Sequence, residues 1–285
     1  MFREKIFRSS ILGILFSLAV FTSHQNAQND GLLKVYFLDI GQGDSIFIEA
    51  PNGNQILIDG GPDNTVLQKL AQIMPFQDRD INIVILTHPH ADHVTGLIEI
   101  LNRYRISAVV QAKEIYDTPE FRAWGKEVPP KNGIEIEATA GKEFDLGSDV
   151  YLSVLYPLHS VAGTITKTPH DDMVVTQLRY KGTRILLTGD MEAPVEKFLA
   201  EHINLDADVL KVGHHGSKTS SSQLFLNTVT PQVAIISVGA KNRYHHPSPE
   251  VLNRLEKNNI PYYRTDTDGD IKLTSDGRHL LLSPY

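Results

Sequence analysis

INIVILTHPHADH, residues 81–93, decides how this chain folds. Its first half, Ile81–Leu86, is apolar and rich in β-branched residues, and reads as a strand covered on both faces. Residues 88–93 then place three imidazoles and a carboxylate within six positions. An amphipathic stretch, Val94–Tyr104, follows and reads as a helix. A strand that runs through a polar loop into a helix is where α/β folds set their binding groups. Three neighbouring imidazoles repel one another when protonated and gain little from packing, so a merely solvated loop accounts poorly for them. Zinc prefers three or four nitrogen or oxygen ligands. Alternate residues His88 and His90 can face one ion. Asp92 and His93, a turn further on, can face a second.

The pattern around this segment occurs twice. Leu33–Ile40 and Ser45–Glu49 are β-rich, and Gln55–Ile58 ends in Asp59-Gly60-Gly61. A helix (Thr65–Ile73), the strand Ile81–Leu86 and the histidine cluster follow. In the second half Val174–Tyr180 and Thr183–Leu187 form a hairpin around Lys181-Gly182 and end in Thr188-Gly189-Asp190. A helix (Pro194–His202), a strand (Asp208–Val212) and His214-His215 follow. Asp59 to His88 is 29 positions and Thr188 to His214 is 26. Hairpin, acidic turn, helix, strand and histidine thus recur in one order. The expected architecture is α/β, with two similar halves packed sheet against sheet and helices outside.

Composition sets the remaining bounds. The chain has 285 residues, 41% hydrophobic and 21% charged, so one large domain or two small ones fit, and extended disorder does not. With no cysteine, disulfides, thiolate ligands and a cysteine nucleophile are excluded. Met1–Ser10 carries Arg3, Lys5 and Arg8, and Ile11–Phe21 is an apolar run of 11 residues, short of the roughly 20 needed to span a bilayer. Residues 1–27 therefore read as a secretory signal peptide, or as an uncleaved anchor, and residues 31–285 as the functional domain. Export to the periplasm or the extracellular space is the expectation. No other long apolar run occurs, so the chain does not itself form a transmembrane channel. Net charge is −7, and −9 once three basic residues and one acid leave with residues 1–27. That balance disfavours nucleic acid as a partner unless bound cations reverse the local sign.

The HxHxDH segment resembles the signature of the metallo-β-lactamase superfamily, and more closely the hydrolase domain of the ComEC competence-protein family. The resemblance spans roughly Leu32 to Arg278. Its carriers are Phe37-Leu-Asp-Ile-Gly-Gln-Gly-Asp44, Leu57-Ile-Asp-Gly-Gly61, Leu86-Thr-His-Pro-His-Ala-Asp-His93, Leu187-Thr-Gly-Asp190, Lys211-Val-Gly-His-His-Gly-Ser217 and Tyr244-His-His-Pro247. It implies a four-layer αββα sandwich and two divalent ions, Zn²⁺ or Mn²⁺. Asp190 matches the carboxylate that bridges them, and His214 the strand-end histidine that completes the second site. His215 is then an outer or substrate-contacting group, or the two histidines exchange these places. His170 departs from the usual Asn-Asp-Asn-Ser and is a candidate third nitrogen ligand of the first site, or else a plain loop residue; Asp172 is a weaker candidate. Asp59 resembles the acid that orients a ligand histidine from behind. Asp44 lies in a glycine-rich loop near the site, or simply stabilises a turn. Ser217, Lys218 and Thr219 are candidate donors to an anionic oxygen or simple helix caps. His246 or His215 would protonate a leaving group, and Tyr244 and His245 are weaker candidates beside them.

The chemistry implied is hydrolysis by a hydroxide held between two metals, with Asp92 and Asp190 fixing the ions. The missing cysteine excludes lactamases with a Cys ligand, and cysteine-free lactamases typically lack a bridging carboxylate. The resemblance therefore favours a small-molecule or nucleic-acid phosphodiester. Two other readings stay open: a lactone or ester hydrolase, and a non-catalytic metal-stabilised binding domain. The Pro-rich stretch Glu114–Gly147 reads equally as a lid or a crossover, and oligomeric state is not legible.

Overall fold

A computed structural model describes residues 17–19, 30–131, 133–166 and 168–285. Of residues 1–27, which the sequence suggests as a signal peptide, only β1 (Ser17–Ala19) is among them; the rest lies outside the described residues. No helix among the described residues is long and apolar enough to cross a membrane.

The first half runs β2 (Leu33–Phe37), β3 (Ile46–Glu49), β4 (Gln55–Ile58), α1 (Thr65–Ile73), β5 (Asp80–Ile85), α2 (Ala91–Arg103), β6 (Arg105–Gln111), α3 (Pro119–Glu127) and β7 (Ile134–Glu137). After β8 (Glu143–Gly147) the second half repeats it. It runs β9 (Val150–Tyr156), β10 (Val175–Tyr180), β11 (Thr183–Leu187), α4 (Ala193–His202), β12 (Val209–Lys211), α5 (Gln223–Val229), β13 (Val233–Ile236), α6 (Pro249–Lys257) and β14 (Tyr262–Arg264). In each half two antiparallel pairings (β2·β3·β4 and β9·β10·β11) lead into three parallel ones. A short α7 (Thr265–Asp268) then leads into the hairpin β15 (Ile271–Ser275) and β16 (Leu280–Pro284), which crosses back to pair with β2. The two eight-stranded sheets are ordered β1-β8-β9-β10-β11-β12-β13-β14 and β16-β15-β2-β3-β4-β5-β6-β7.

The period-2 geometry of strands explains the layers. Val35, Phe37, Ile56, Ile58, Ile83 and Ile85 face Leu178, Ile185, Leu187, Val209 and Ile235 of the other sheet. The residues between them point outward. Tyr36, Leu57 and Val84 pack on Val66, Leu70, Val94 and Leu97, while Leu186, Leu210 and Ala234 pack on Val195, Leu199, Phe225 and Val251. The result is the four-layer αββα sandwich.

Two readings of local structure change. Helix α2 starts at Ala91, three residues before the expected Val94, because the His90 carbonyl already accepts from the His93 and Val94 amides at 3.0 Å. Asp92 and His93 therefore form its first turn, where a carboxylate also suits the helix dipole. Glu114–Gly147 is a crossover that carries α3, β7 and β8. It is pinned by the fully buried Trp124, whose indole donates to Gln111 Oε1 at 2.7 Å.

Candidate metal centre

The polar groups converge because the parallel strands of both sheets end at one edge. The ends of β4, β5, β11 and β12 deliver Asp59, His88–His90, Asp190 and His214–His215. A single 3-10 turn before β10 brings His170. Two close approaches set the loops. Gly43 fits because an added Cβ would stand 2.1 Å from the Asp92 carbonyl. Gly96 on α2 lies so close to the 59–61 turn that a Cβ would meet the Gly60 carbonyl at 2.0 Å. Only side-chain-free positions allow both contacts.

Asp190 Oδ2 is the geometric centre. It lies 3.3 Å from His93 Nε2 and from His215 Nε2, 3.8 Å from His88 Nε2, 3.9 Å from His170 Nε2 and 4.0 Å from His214 Nε2. Two groups surround it. In the first, His90 Nδ1 stands 3.0 Å from His88 Nε2 and 3.2 Å from His170 Nε2. In the second, Asp92, His93 and His215 converge, with His215 Nε2 3.5 Å from Asp92 Oδ2.

Outer contacts fix which nitrogen faces inward. Thr87 Oγ1 donates to Asp59 Oδ2 at 2.7 Å, so at 3.1 Å it can only accept from His88 Nδ1–H. Asp59 Oδ2 also accepts from His93 Nδ1 at 2.8 Å, and its other oxygen accepts the Thr87 amide. His215 Nδ1 donates to the Ser237 carbonyl at 2.9 Å, and His214 Nδ1 to Glu192 Oε1 at 2.8 Å. Each of these four rings therefore turns an Nε2 lone pair toward Asp190 when neutral. His93 Nε2, His215 Nε2 and Asp190 Oδ1 are buried yet make no hydrogen bond. Buried polar atoms without a partner are costly, and a divalent cation with nitrogen and oxygen ligands is the partner such a set fits.

The electrostatics agree. Burial, reinforced by the charge of His93, holds His88 well below the ordinary histidine range, and burial with His170 pushes His90 down to about 4. Burial alone would also lower His93 and His215, but the Asp190 carboxylate overrides it and carries both well above that range. Burial would raise Asp92, yet the His215 hydrogen bond holds it down at about 2. Without cations the centre is thus balanced by protons on His93 and His215.

The fold and this cluster meet in the comparisons with known proteins. The Metallo-beta-lactamase superfamily matches residues 38–240. The chain belongs to that superfamily. It is 30% identical over 270 residues to ComE operon protein 3 of Bacillus subtilis, covering 88% of this chain and 34% of that protein. It is 29% identical over 256 residues to Competence protein ComA of Neisseria gonorrhoeae, covering 86% of this chain and 32% of that protein. The chain thus spans about a third of the length of these relatives. The metallo-β-lactamase fold protein YhfI of Bacillus subtilis shares the fold, with a TM-score of 0.53 at 12% identity over 81% of this chain and 95% of that one. The superfamily is one of metal-dependent hydrolases, typically with two metals, and the clusters of this chain suit that pattern.

Within this superfamily fold, the sequence-derived candidates fall as follows. His88, His90, Asp92, His93, His170 and Asp190 all lie in the cluster. His214 and His215 exchange the places expected of them. His215 is 2% exposed and sits with Asp92 and His93, whereas His214 turns to Glu192 and His170. Both adopt left-handed backbone (φ 47° and 54°), and this double twist swings the two rings apart. Asp59 stands behind His88 and His93. Asp44 is buried, ion-paired with Lys211, its Oδ1 3.5 Å from His215 Nδ1. Ser217, Lys218 and Thr219 do not cap a helix, since α5 begins at Gln223 under a Ser222 cap. Thr219 instead donates to Glu192 at 2.8 Å, and Lys218 is exposed. His246 lies at the rim, its ring 5.8 Å from His214, with the exposed Tyr244 stacked outside it.

Two residues escaped the sequence reading. Glu192 gathers His214, His170 (Nδ1 at 3.6 Å) and Thr219. Lys211 is fully buried, donates to the Gly189 carbonyl at 2.9 Å and braces the turn that carries Asp190. A lysine closing the otherwise apolar strand Val209–Lys211 was the available signal.

Proposed function

We propose that the chain is an exported, binuclear metal-dependent phosphodiesterase. The observation that carries the reading is Asp190 Oδ2, one carboxylate oxygen within 4.0 Å of five imidazole nitrogens drawn from both halves. His88, His90 and His170 would hold one Zn²⁺ or Mn²⁺, and Asp92, His93 and His215 the other, with Asp190 shared between them. Such ions would polarise a phosphoryl oxygen and lower the pKa of water. Asp59, through Thr87 and directly, keeps His88 and His93 with Nε2 bare and aimed inward. Glu192 accepts from His214 Nδ1, so His214 carrying a second proton at Nε2, or the rim imidazole of His246, would hand a proton to a departing alkoxide. His215, buried and tied to Ser237, is withdrawn from that role.

A shared carboxylate supports phosphodiester over lactam hydrolysis, and kinship with competence proteins supports a nucleic-acid or related substrate over a lactone or ester. Residues 31–285 would form the hydrolase domain, released by cleavage after the N-terminal segment or tethered by it. The test is metal content with turnover of bis-p-nitrophenyl phosphate and nitrocefin in Zn²⁺ and Mn²⁺. Near two metals per chain and diester turnover lost in Asp190→Ala support the reading. Nitrocefin turnover alone, or one tight metal and no turnover, overturns it. Cell fractionation tests export.

A further inference from the structure

Beside the metal centre lies a cleft of roughly 390 Å³ whose lining includes Gln42, Asp92, Lys241, Asn242, Arg243 and Tyr244. Asp92 belongs to both the cleft and the metal-binding cluster, so whatever fills the cleft adjoins the reacting group. Its far wall is cationic in a chain of net charge −7. The wall is also built rather than loose. Asn242 cross-braces its loop, with Nδ2 donating to the Gly239 and His246 carbonyls at 2.8 and 2.7 Å and Oδ1 accepting the His246 amide at 2.8 Å. Gly239 docks on Gln42, whose Oε1 accepts its amide at 3.2 Å. Arg243 is laid 4.9 Å over the Tyr244 ring and donates to its hydroxyl at 2.8 Å. Gln42 Nε2 is buried without a partner. That leaves a planar guanidinium and an ammonium on one wall of a cavity of ligand size.

We propose that this cleft is a second-phosphate subsite: it binds the phosphate one nucleotide away from the bond being cleaved. Resting on the phosphodiesterase reading, the inference narrows the substrate to an oligonucleotide-type diester carrying more than one phosphate, as opposed to a diester with a single phosphate. Arg243 presents a fork that matches phosphate oxygens, Lys241 adds a mobile point charge, and Gln42 braces their loop through Gly239. The Asn242 hydrogen bonds preform the loop backbone, which lowers the ordering cost on binding.

The test compares three dinucleotides on the metal-loaded protein: TpT, pTpT and TpTp. One terminal phosphate, 5′ or 3′, is expected to raise kcat/KM at least tenfold over TpT, mainly through KM. In the Lys241→Gln/Arg243→Gln double variant that advantage falls to twofold or less, and its remaining TpT turnover reports an intact fold. Tyr244→Phe, which removes the hydroxyl acceptor of Arg243, gives an intermediate ratio. Neither phosphate helping, or an advantage that persists in the double variant, overturns the subsite. Calorimetric titration of the same three compounds into chelator-treated protein separates the two ideas. If no diester turns over but a terminal phosphate tightens binding tenfold in the wild type and not in the double variant, the subsite stands and the phosphodiesterase reading falls. Equal binding of all three overturns the subsite.

Discussion

Replacing Lys211 by methionine is expected to cost about 3–5 kcal/mol of folding stability, and replacing Asp44 by asparagine in the same chain is expected to restore most of it. The Lys211 ammonium is fully buried, pairs with the Asp44 carboxylate, donates to the Gly189 carbonyl at 2.9 Å and stands 4.0 Å from Asp190 Oδ1. At an effective dielectric near 20, a pair of unit charges about 4 Å apart attracts by about 4 kcal/mol. Methionine fills a similar volume, so the loss is one of charge and not of packing. It strands Asp44, which is 1% exposed, beside a second buried carboxylate. The double variant leaves no stranded charge at that pair. Urea unfolding at neutral pH in chelator reads the effect without cation binding masking it. A coupling energy of at least about 2 kcal/mol is expected between the two sites. A Lys211→Met loss below about 1 kcal/mol, or single losses that simply add, refutes the argument that a buried ion pair holds this corner of the centre.

Asp59→Asn removes the charge and one of the two acceptor oxygens that serve His93 and Thr87, and should weaken metal affinity about 10–100-fold, measured by competition with a chromophoric chelator. His215→Ala should leave about one metal per chain while His214→Ala keeps close to two; equal losses in elemental analysis would contradict the exchange of roles between them. Because Asp190 raises His93 and His215, cation uptake near neutral pH must displace protons from them, so affinity falls as pH falls. Calorimetry in buffers of different ionisation enthalpy should record about two protons released, and no release would sink the assignment. Glu114 is buried and pushed up to about 7 from 4.5, mainly by burial, so the folded state binds its proton more tightly than the unfolded state. That acid destabilises the fold as pH rises from about 4.5 through 7, by about 3 kcal/mol once ionised. Glu114→Gln should therefore raise the melting temperature more at pH ~8 than at pH ~5, and an equal shift at both would count against it.

Much of the fold could be read from the chain because period-2 alternation and strand-end acids recur in both halves. Thr65–Ile73, Gln55–Ile58 and Thr183–Leu187 end where the sequence says they end. The hairpin Ile271–Pro284 could not be placed that way. Its partner β2 lies more than two hundred residues earlier, in a register pairing Ile271 with Phe37, and no local pattern encodes such a long-range choice. The prolines and glycine of Glu114–Gly147 likewise hide α3, whose existence rests on burying Trp124 against the sheet.

The centre divides along the same line. His88, His90, Asp92 and His93 are contiguous, so strand-to-helix geometry alone brings them together, whereas Asp190 is reached only through the family resemblance, since Thr-Gly-Asp by itself reads as a turn. His214 and His215 are adjacent as well, and there adjacency misleads. A residue's neighbours in sequence predict which groups gather, but its φ and ψ decide which way each ring points. Two successive left-handed residues are costly for side chains with a Cβ, at about 1–2 kcal/mol each. The chain adopts them where His215 reaches Ser237, Asp92 and Asp190 on one side and His214 reaches Glu192 on the other. Lys211 and Glu192 are the counterparts of that strain. One holds the Asp190 turn from beneath, the other collects His214, His170 and Thr219 from the outside, and neither is visible until both strands have been laid side by side.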